Sequence, residues 1–381
     1  MRVVLFCHSL LSDWNHGHAH FLRGVVTELS KRGADIQVYE PENAWSMENL
    51  LAERGGEETL EALRLVYRRV RPHRYTLETL DLGAVLDGAD LVIVHEWNEP
   101  ELVYRVGQAR ARGGRFKLLF HDTHHRSVTA PGEMARYDLS HYDGVLAVGD
   151  VIRRVYLERG WARHAWTWHE AADVRVFRPE FAYEYERDQD LVWVGNWGDE
   201  EHGAELHEFL LGPVKRLGLK ARVHGVRYPQ AARTALAEAG ISYGGWLPNH
   251  EVPRTFARAL MTVHVPRRPY ASALPGLPTP RTFEALACGI PLVCAPWEDA
   301  EHLFTPGLDF LVARDGEQME RHLAALREDA DLRRALAEHG RRTILARHTC
   351  AHRVEELLGF CRELGVETGS LGSVVQERVT A

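Results

Sequence analysis

Short, nearly continuous apolar runs recur along the chain, separated by helix-length stretches. In the first half they are VVLFC at 3–7, DIQVY at 35–39, DLVIVH at 90–95, FKLLFH at 116–121 and GVLAV at 144–148. A second series comprises DLVWVG at 190–195, ARVHGV at 221–226, MTVHV at 261–265, PLVCA at 291–295 and DFLVA at 309–313. Runs this short, with little polar alternation, predict strands buried on both faces of a parallel sheet. Helical patterns at 201–217, 229–239 and 315–347 lie between them. The chain therefore reads as α/β, with two Rossmann-like, doubly wound parallel-sheet halves facing a central cleft.

The polar segment EYERDQD, just after Arg178-Pro179, marks the break between the halves. It gives a first domain over 1–179, a linker at 180–190 and a second domain over 191–349. A C-terminal helix over 350–366, with Val354, Leu357, Leu358 and Cys361 at helical spacing, is expected to cross back and pack at the domain junction; 367–381 reads as a tail. Two domains also suit 381 residues, because single cores stop growing near roughly 250–300.

Composition narrows the partners. With 54 acidic against 46 Lys and Arg residues, the net charge of −8 argues against nucleic acid as the main partner, since a phosphate backbone requires a basic face. Five cysteines without a CxxC spacing indicate neither a disulfide framework nor a cysteine zinc site. No run approaches the roughly 18 apolar residues of a spanning helix. The opening MRVVLFCHSLL reads as a buried strand rather than a signal peptide. A cytoplasmic protein is the expectation, with peripheral membrane contact open through the basic stretch YRRVRPHRY at 67–75; a solvated face is the plainer reading of that stretch.

Ligands of doubly wound sheets sit beyond the carboxyl ends of the strands, so the loops there carry the candidate chemistry. SDWNHGHAH at 12–20 follows the first strand and opens a helix; Gly17 permits close backbone approach, and helix-start N–H groups attract phosphate, with His18 beside them. The loop is not GxGxxG, and the only acidic residue ending a second strand is Glu40. His16, His18 and His20 alternate, and HDTHH holds His121, His124 and His125. Imidazoles could bind zinc, copper or iron. An HxHxH run needs extended backbone to do so, however, and this one is entering a helix; hydrogen bonding to ligand hydroxyls or phosphate is the expected use, with no metal. His121 and Asp122 end a buried strand at the mouth of the expected cleft. Glu96, ending the preceding strand, is a candidate general base or hydroxyl acceptor, or a capping carboxylate.

In the second half, PGLPTPRTFEALACGIPLVCAP at 275–296 is the informative stretch. Thr279 and Pro280 read as N-cap and first helical residue, and Gly289 as the C-terminal cap. Arg281 and Thr282 then lie in the first turn, where the dipole, N–H groups and guanidinium can converge on a diphosphate. Glu284, one turn on, suits the two hydroxyls of a ribose. Arg267 and Arg268, in the proline-stiffened PRRPY, are second phosphate candidates. Trp246 and Leu247, in GGWLPN at 244–249, form a turn that could contact a base.

These segments resemble the GT-B glycosyltransferases, particularly family 4 and its CgeB-like branch, over nearly the whole chain. RTFEALACGIPLV is similar to the donor-domain motif, HEAADVRVFRP at 169–179 to the segment ending the first domain, GWLPNHEVPRTFARA to the base-binding loop and its helix, and FHD to the first-domain histidine that approaches the donor sugar. The resemblance implies a metal-independent hexosyltransferase with a UDP-, GDP- or ADP-sugar as co-substrate and no other cofactor. The acceptor, a glycan, lipid, protein or small molecule, and the oligomeric state stay open. Retention of configuration is implied; if the enzyme instead inverts, Glu96 is the favoured base. Two departures stand out. Gly276 occupies the place of the first glutamate of the family's E-x7-E pair, and VGNWGDEEHG at 194–203 lacks the usual Arg and Lys, which leaves diphosphate recognition to Arg281 with Arg267 or Arg268. Nucleotide-sugar 2-epimerases share the architecture, and a non-catalytic binding protein of this fold is the third reading.

Overall fold

Two wholly parallel sheets, of seven and six strands, organise the chain in the computed structural model, which describes residues 1–180, 187–198, 202–369 and 371. One unit comprises Met1–Ser12, His18–His169 and the chain from Cys350 on; the other comprises Asp13–Gly17 and Glu170–Thr349.

The first unit holds β1 (Arg2–Phe6), β2 (Asp35–Pro41), β3 (His73–Tyr75), β4 (Leu91–His95), β5 (Lys117–Asp122), β6 (Gly144–Ala147) and β7 (Ala165–Thr167), in the spatial order β3-β2-β1-β4-β5-β6-β7. Its helices are α1 (Ala19–Lys31), α2 (Trp45–Ala52), α3 (Gly56–Val66), α4 (Leu82–Leu86), α5 (Pro100–Ala111), α6 (Arg126–Thr129), α7 (Pro131–Met134) and α8 (Asp150–Glu158). Central β1 pairs on both sides, Val4 facing Gln37 and Val92, and its Val3–Phe6 run is buried, as an apolar strand covered on both faces must be. The order reverses beside β1, which places the ends of β1 and β4 at the switch point where doubly wound sheets bind ligands.

The second unit holds β8 (Gln189–Val194), β9 (Ala221–His224), β10 (Ile241–Tyr243), β11 (Ala259–His264), β12 (Leu292–Cys294) and β13 (Leu311–Val312), in the order β10-β9-β8-β11-β12-β13. Its helices are α9 (Gly203–Leu206), α10 (Gly212–Leu217), α11 (Gln230–Glu238), α12 (Val252–Ala257), α13 (Arg268–Ala273), α14 (Pro280–Cys288), α15 (Gly316–Glu328) and α16 (Ala330–Arg347). The single helix expected over 201–217 is interrupted by a π-helical turn, His207–Leu211; Pro213 just beyond it lacks the N–H that a regular turn needs. The pattern at 315–347 is two helices, because Asp329 turns outward and its carboxylate caps the Asp331 and Leu332 N–H groups.

The strands that sequence pattern missed, β3, β7 and β10, are three-residue edge strands with short, partly polar sequences. The expected break after residue 179 also shifts. Glu170–Phe177 belongs to the second unit, where Ala172 donates to the His348 carbonyl and Ala172 and Phe177 bury in the core around Phe283 and Ile344. Of the expected linker, residues 181–186 lie outside the described residues, as do 370 and 372–381 of the expected tail. Helix α17 (Cys350–Glu363) returns to the first unit: Arg32 pairs with Glu355, and Trp168 Nε1 donates to the Arg353 carbonyl at 2.8 Å. All five cysteines are buried free thiols. Among the described residues no helix is long and apolar enough to cross a membrane.

Close packing of α16 on α14 gives a direct test. A Cβ on Gly340 would lie 2.7 Å from Leu286 Cδ2 and 2.8 Å from the Asp309 carbonyl oxygen. Alanine gains about 1 kcal/mol of helix propensity, but overpacking costs about 1–3 kcal/mol. The backbone oxygen cannot rotate away, so Gly340→Ala is expected to lower the melting temperature by about 2–4 °C; an unchanged or raised value in a thermal melt would contradict this packing.

Candidate functional site

The second unit builds its site around the start of α14. Strand β11 delivers His264, whose buried ring lies with Nε2 2.9 Å from Thr279 Oγ1. Burial pushes the His264 pKa down to about 3, with His202 adding to the effect, so the ring is neutral at ordinary pH. Thr279 occupies the N-cap position as expected, but its hydroxyl is turned to His264, and no side chain caps the helix. Pro280 follows at the first position, so α14 keeps a helix start whose N–H groups and dipole favour an anion.

Residues 13–17 approach the same helix start. Asp13 Oδ2 accepts from the Asn249 N–H at 3.2 Å, and Asn196 Nδ2 donates to Asn15 Oδ1, with Asn15 in the left-handed region at φ 50°. A Cβ on Gly17 would lie 4.0 Å from Pro280 Cγ, so the Gly17 backbone runs beside the first residue of α14. Arg281 Nη1 donates to Glu284 Oε2 and Nη2 to Asn249 Oδ1 at 3.3 Å. The sequence pictured Arg281 and Glu284 as groups facing separate parts of a ligand; here they form an ion pair, with Glu284 fully buried and Arg281 partly exposed. Thr282 is buried, its N–H bonded to the Thr279 carbonyl at 3.1 Å.

The remaining second-unit candidates divide. Trp246 and Leu247 are half-buried on the turn after β10, with Leu247 against the core. That turn passes over His224, whose Cε1 would lie 2.3 Å from a Cβ on Gly244. Arg267 is half-exposed at the start of α13. Arg268 pairs with Glu205, at 2.9 and 3.2 Å, a contact that a phosphate would have to displace. Gly276 has φ 86°, and a Cβ there would lie 2.8 Å from Glu301 Cγ; the Glu301 side chain fills the space that a residue larger than glycine would need.

In the first unit, His121 lies next to the end of β5, fully buried against Trp168 at 4.9 Å, His95 at 5.1 Å and Phe21 at 6.3 Å between ring centroids. Neither ring nitrogen has a hydrogen-bond partner among the described residues. Burial, reinforced by His18 at the start of α1, pushes its pKa down to about 3. The next residue differs. Asp122 accepts from the His124 N–H at 3.0 Å and the Tyr156 hydroxyl at 2.8 Å, and burial together with Glu96 raises its pKa well above the usual carboxylate range. Glu96 is fully buried, accepting from the Thr123 N–H at 2.7 Å, the Thr123 hydroxyl at 2.8 Å and Arg126 Nη2 at 2.8 Å. Both carboxyls therefore hold the ends of β4 and β5 in place, which for Glu96 is the capping alternative to a general base. Among the described residues, no three His, Cys, Asp or Glu side chains are grouped to hold a metal.

Sequence reasoning overlooked His264, Asn249, Asn15 and Asn196, which act through partners distant in the chain. The only local signal was that His264 ends a strand, as His121 does.

A family model described as glycosyl transferase-like matches residues 202–359, under half of the chain. No curated protein matches the sequence. Among solved structures, the chain resembles sucrose-phosphate synthase from Thermosynechococcus elongatus, with 14% identity, 96% of this chain and 99% of that one covered, and a TM-score of 0.63. It resembles Anabaena HepE in complex with UDP and glucose, with 13% identity, 95% and 100% covered, and a TM-score of 0.64. An α-glucosyltransferase in complex with UDP superimposes with a TM-score of 0.67 at 11% identity, covering 95% and 100%. The two parallel α/β units thus have the GT-B fold of glycosyltransferases.

Glu40 supplies a pH test of how the segment after β1 is held. Its buried carboxylate accepts from the N–H groups of Leu10 and Leu11, so it faces the protein's own backbone. Burial raises its pKa to about 7, against the backbone hydrogen bonds that lower it. A carboxyl whose folded pKa exceeds its unfolded one binds protons more tightly when folded. Its contribution is present at low pH and fades as pH climbs from about 4.5 to about 7. Glu40→Gln is therefore expected to remove about 2–3 kcal/mol of that decline, read as urea unfolding at pH 5 and pH 8. Equal changes with pH in the two proteins would refute the assignment.

Proposed function

We propose that the chain is a metal-independent glycosyltransferase, of the family 4-like, CgeB-like type, that moves a hexose from a nucleoside-diphosphate donor to an acceptor with retention of configuration. The supporting observation is the start of α14: a helix end without a side-chain cap, the Gly17 backbone beside Pro280, and Arg281 with buried Glu284 one turn further on. As the bond to the sugar breaks, the diphosphate gathers negative charge. Helix N–H groups and a guanidinium fixed beforehand stabilise that charge without reorganising at the moment of transfer. On donor binding, ahead of transfer, Arg281 exchanges its Glu284 contact for the diphosphate, and Glu284 takes the ribose hydroxyls. Arg267 would add a second cation, and the Trp246–Leu247 turn would face the base.

UDP is the first nucleotide to test, since fold neighbours are in complex with it. His121 fits the sugar: a buried neutral ring with both nitrogens unmet costs about 1–3 kcal/mol, and ligand hydroxyls would meet them. Retention suits the engaged Glu96, because an acceptor attacking on the leaving-group side can pass its proton to the departing phosphate oxygen without a separate base.

Calorimetric titration of UDP, GDP, ADP and TDP is expected to show one preferred nucleotide, with Glu284→Ala weakening it about 10- to 100-fold. Equal affinity in both proteins removes the ribose role. His121→Ala is expected to keep nucleotide affinity and lose turnover; unchanged turnover removes the sugar role. Conversion of donor alone into its epimer would establish the epimerase reading. Neither transfer nor donor hydrolysis across a donor panel would establish a binding protein.

A further inference from the structure

The first unit carries a surface that neither its sheet nor the nucleotide site explains. Between Glu61 and Glu78 the chain has five arginines, Arg64, Arg68, Arg69, Arg71 and Arg74, and no acidic residue, within a protein of net charge −8. All five are exposed. The fold presents them deliberately: Tyr67, Val70 and Tyr75 turn inward and are buried, and β3 pairs with β2 through Tyr39↔His73, Glu40↔Arg74 and Pro41↔Tyr75, so the segment lies pinned with its charges outward. Elsewhere arginines are commonly neutralised, as Arg126 is by Glu96 and Arg258 by Asp188. Here none of the five forms an ion pair among the described residues. Arg68, Arg71 and Arg74 reach only backbone carbonyls, of Leu65, Arg68 and Glu42, and Arg69 reaches the Ser30 hydroxyl.

An independent observation falls on the same place. Three of the six large apolar side chains exposed among the described residues are Leu65 at 67%, Val66 at 45% and Leu51 at 45%. Leu65 and Val66 form the last residues of α3, directly ahead of the arginines, and Leu51 lies on α2, which packs against α3. The acidic residues of α3, Glu57, Glu58 and Glu61, sit toward its opposite end. Leucine and valine standing in water beside unpaired guanidinium groups match an anionic bilayer, which offers phosphate to the arginines and an apolar layer just beneath to the aliphatic side chains. A soluble polyanion would satisfy only the charges.

We infer that the α3 end and the 64–74 segment form a docking face for an anionic lipid surface, which would hold the protein at a membrane without a spanning helix. Co-sedimentation with vesicles of phosphatidylcholine alone, or mixed with phosphatidylglycerol, tests this on the full chain. Binding is expected only to the mixed vesicles, weakening as salt rises. Replacing Arg68 and Arg71 by Ala should weaken it by roughly five-fold per arginine. Leu65→Ser with Val66→Ser should weaken it further than salt alone, with an unchanged melting temperature because both side chains are already exposed. Equal binding to neutral and mixed vesicles, or full binding by the arginine variant, would overturn the inference. So would binding of an RNA oligonucleotide or heparin in the absence of vesicle binding.

Discussion

The contact between His264 and Thr279 sets the terms for the second unit. It joins the end of β11 to the residue before α14, and it uses the one hydroxyl that would otherwise close the helix start. Because the imidazole is buried and neutral, it restrains Thr279 without placing a positive charge behind the site. From the other side α14 is backed by α16, where the buried Asp309 carboxylate accepts from His339 Nδ1 at 2.6 Å and the Thr343 hydroxyl at 2.7 Å. A helix held at both its start and its flank keeps its dipole and Arg281 fixed relative to the sheet, and preorganisation of this kind is what electrostatic stabilisation of a leaving group requires.

The first unit solves a different problem at the same end of its sheet. Glu96, Thr123, Asp122 and Tyr156 are buried polar groups brought together where β4 and β5 end, with the partly buried Arg126 beside them, and each makes at least one hydrogen bond. Removing one member would leave an uncompensated buried group, so such a network locks the loop positions even where it adds little net stability. Trp97 adds to the lock, with the Arg126 guanidinium 4.2 Å from its ring. Beside this cluster His121 differs, in that neither of its ring nitrogens has a partner among the described residues.

Central strands were legible because burial on both faces leaves little choice of residue, and their apolar runs survive in sequence. The edge strands β3, β7 and β10 were not, since HRY, AWT and ISY answer to one neighbour and to solvent. The site was legible in its local parts: Thr279-Pro280 as a helix start, Gly289 as its left-handed end at φ 67°, Arg281 and Glu284 on one helix face. What a linear reading could not supply were partners. Arg268 pairs with Glu205, far away in sequence, and Asn15 meets Asn196 across an even longer separation. Such pairs obey the same hydrogen-bond chemistry as local ones but leave no spacing signature.

Four of the 22 histidines share one physical setting. His8, His121, His224 and His264 end or follow strands, and burial lowers the pKa of each, to about 4 for His8 and His224 and about 3 for the other two. At neutral pH these rings are uncharged groups that can donate through one nitrogen and accept through the other. That dual capacity suits hydroxyl-rich ligands better than lysine or glutamate would, and it avoids burying a charge. The linkage runs one way: folded pKa values below the unfolded ones mean that stability is lost as pH falls from about 6.5 toward 3. The raised Asp122 acts in the opposite sense, losing its contribution as pH rises. The four rings thus share one sign of pH dependence, opposite to that of Asp122.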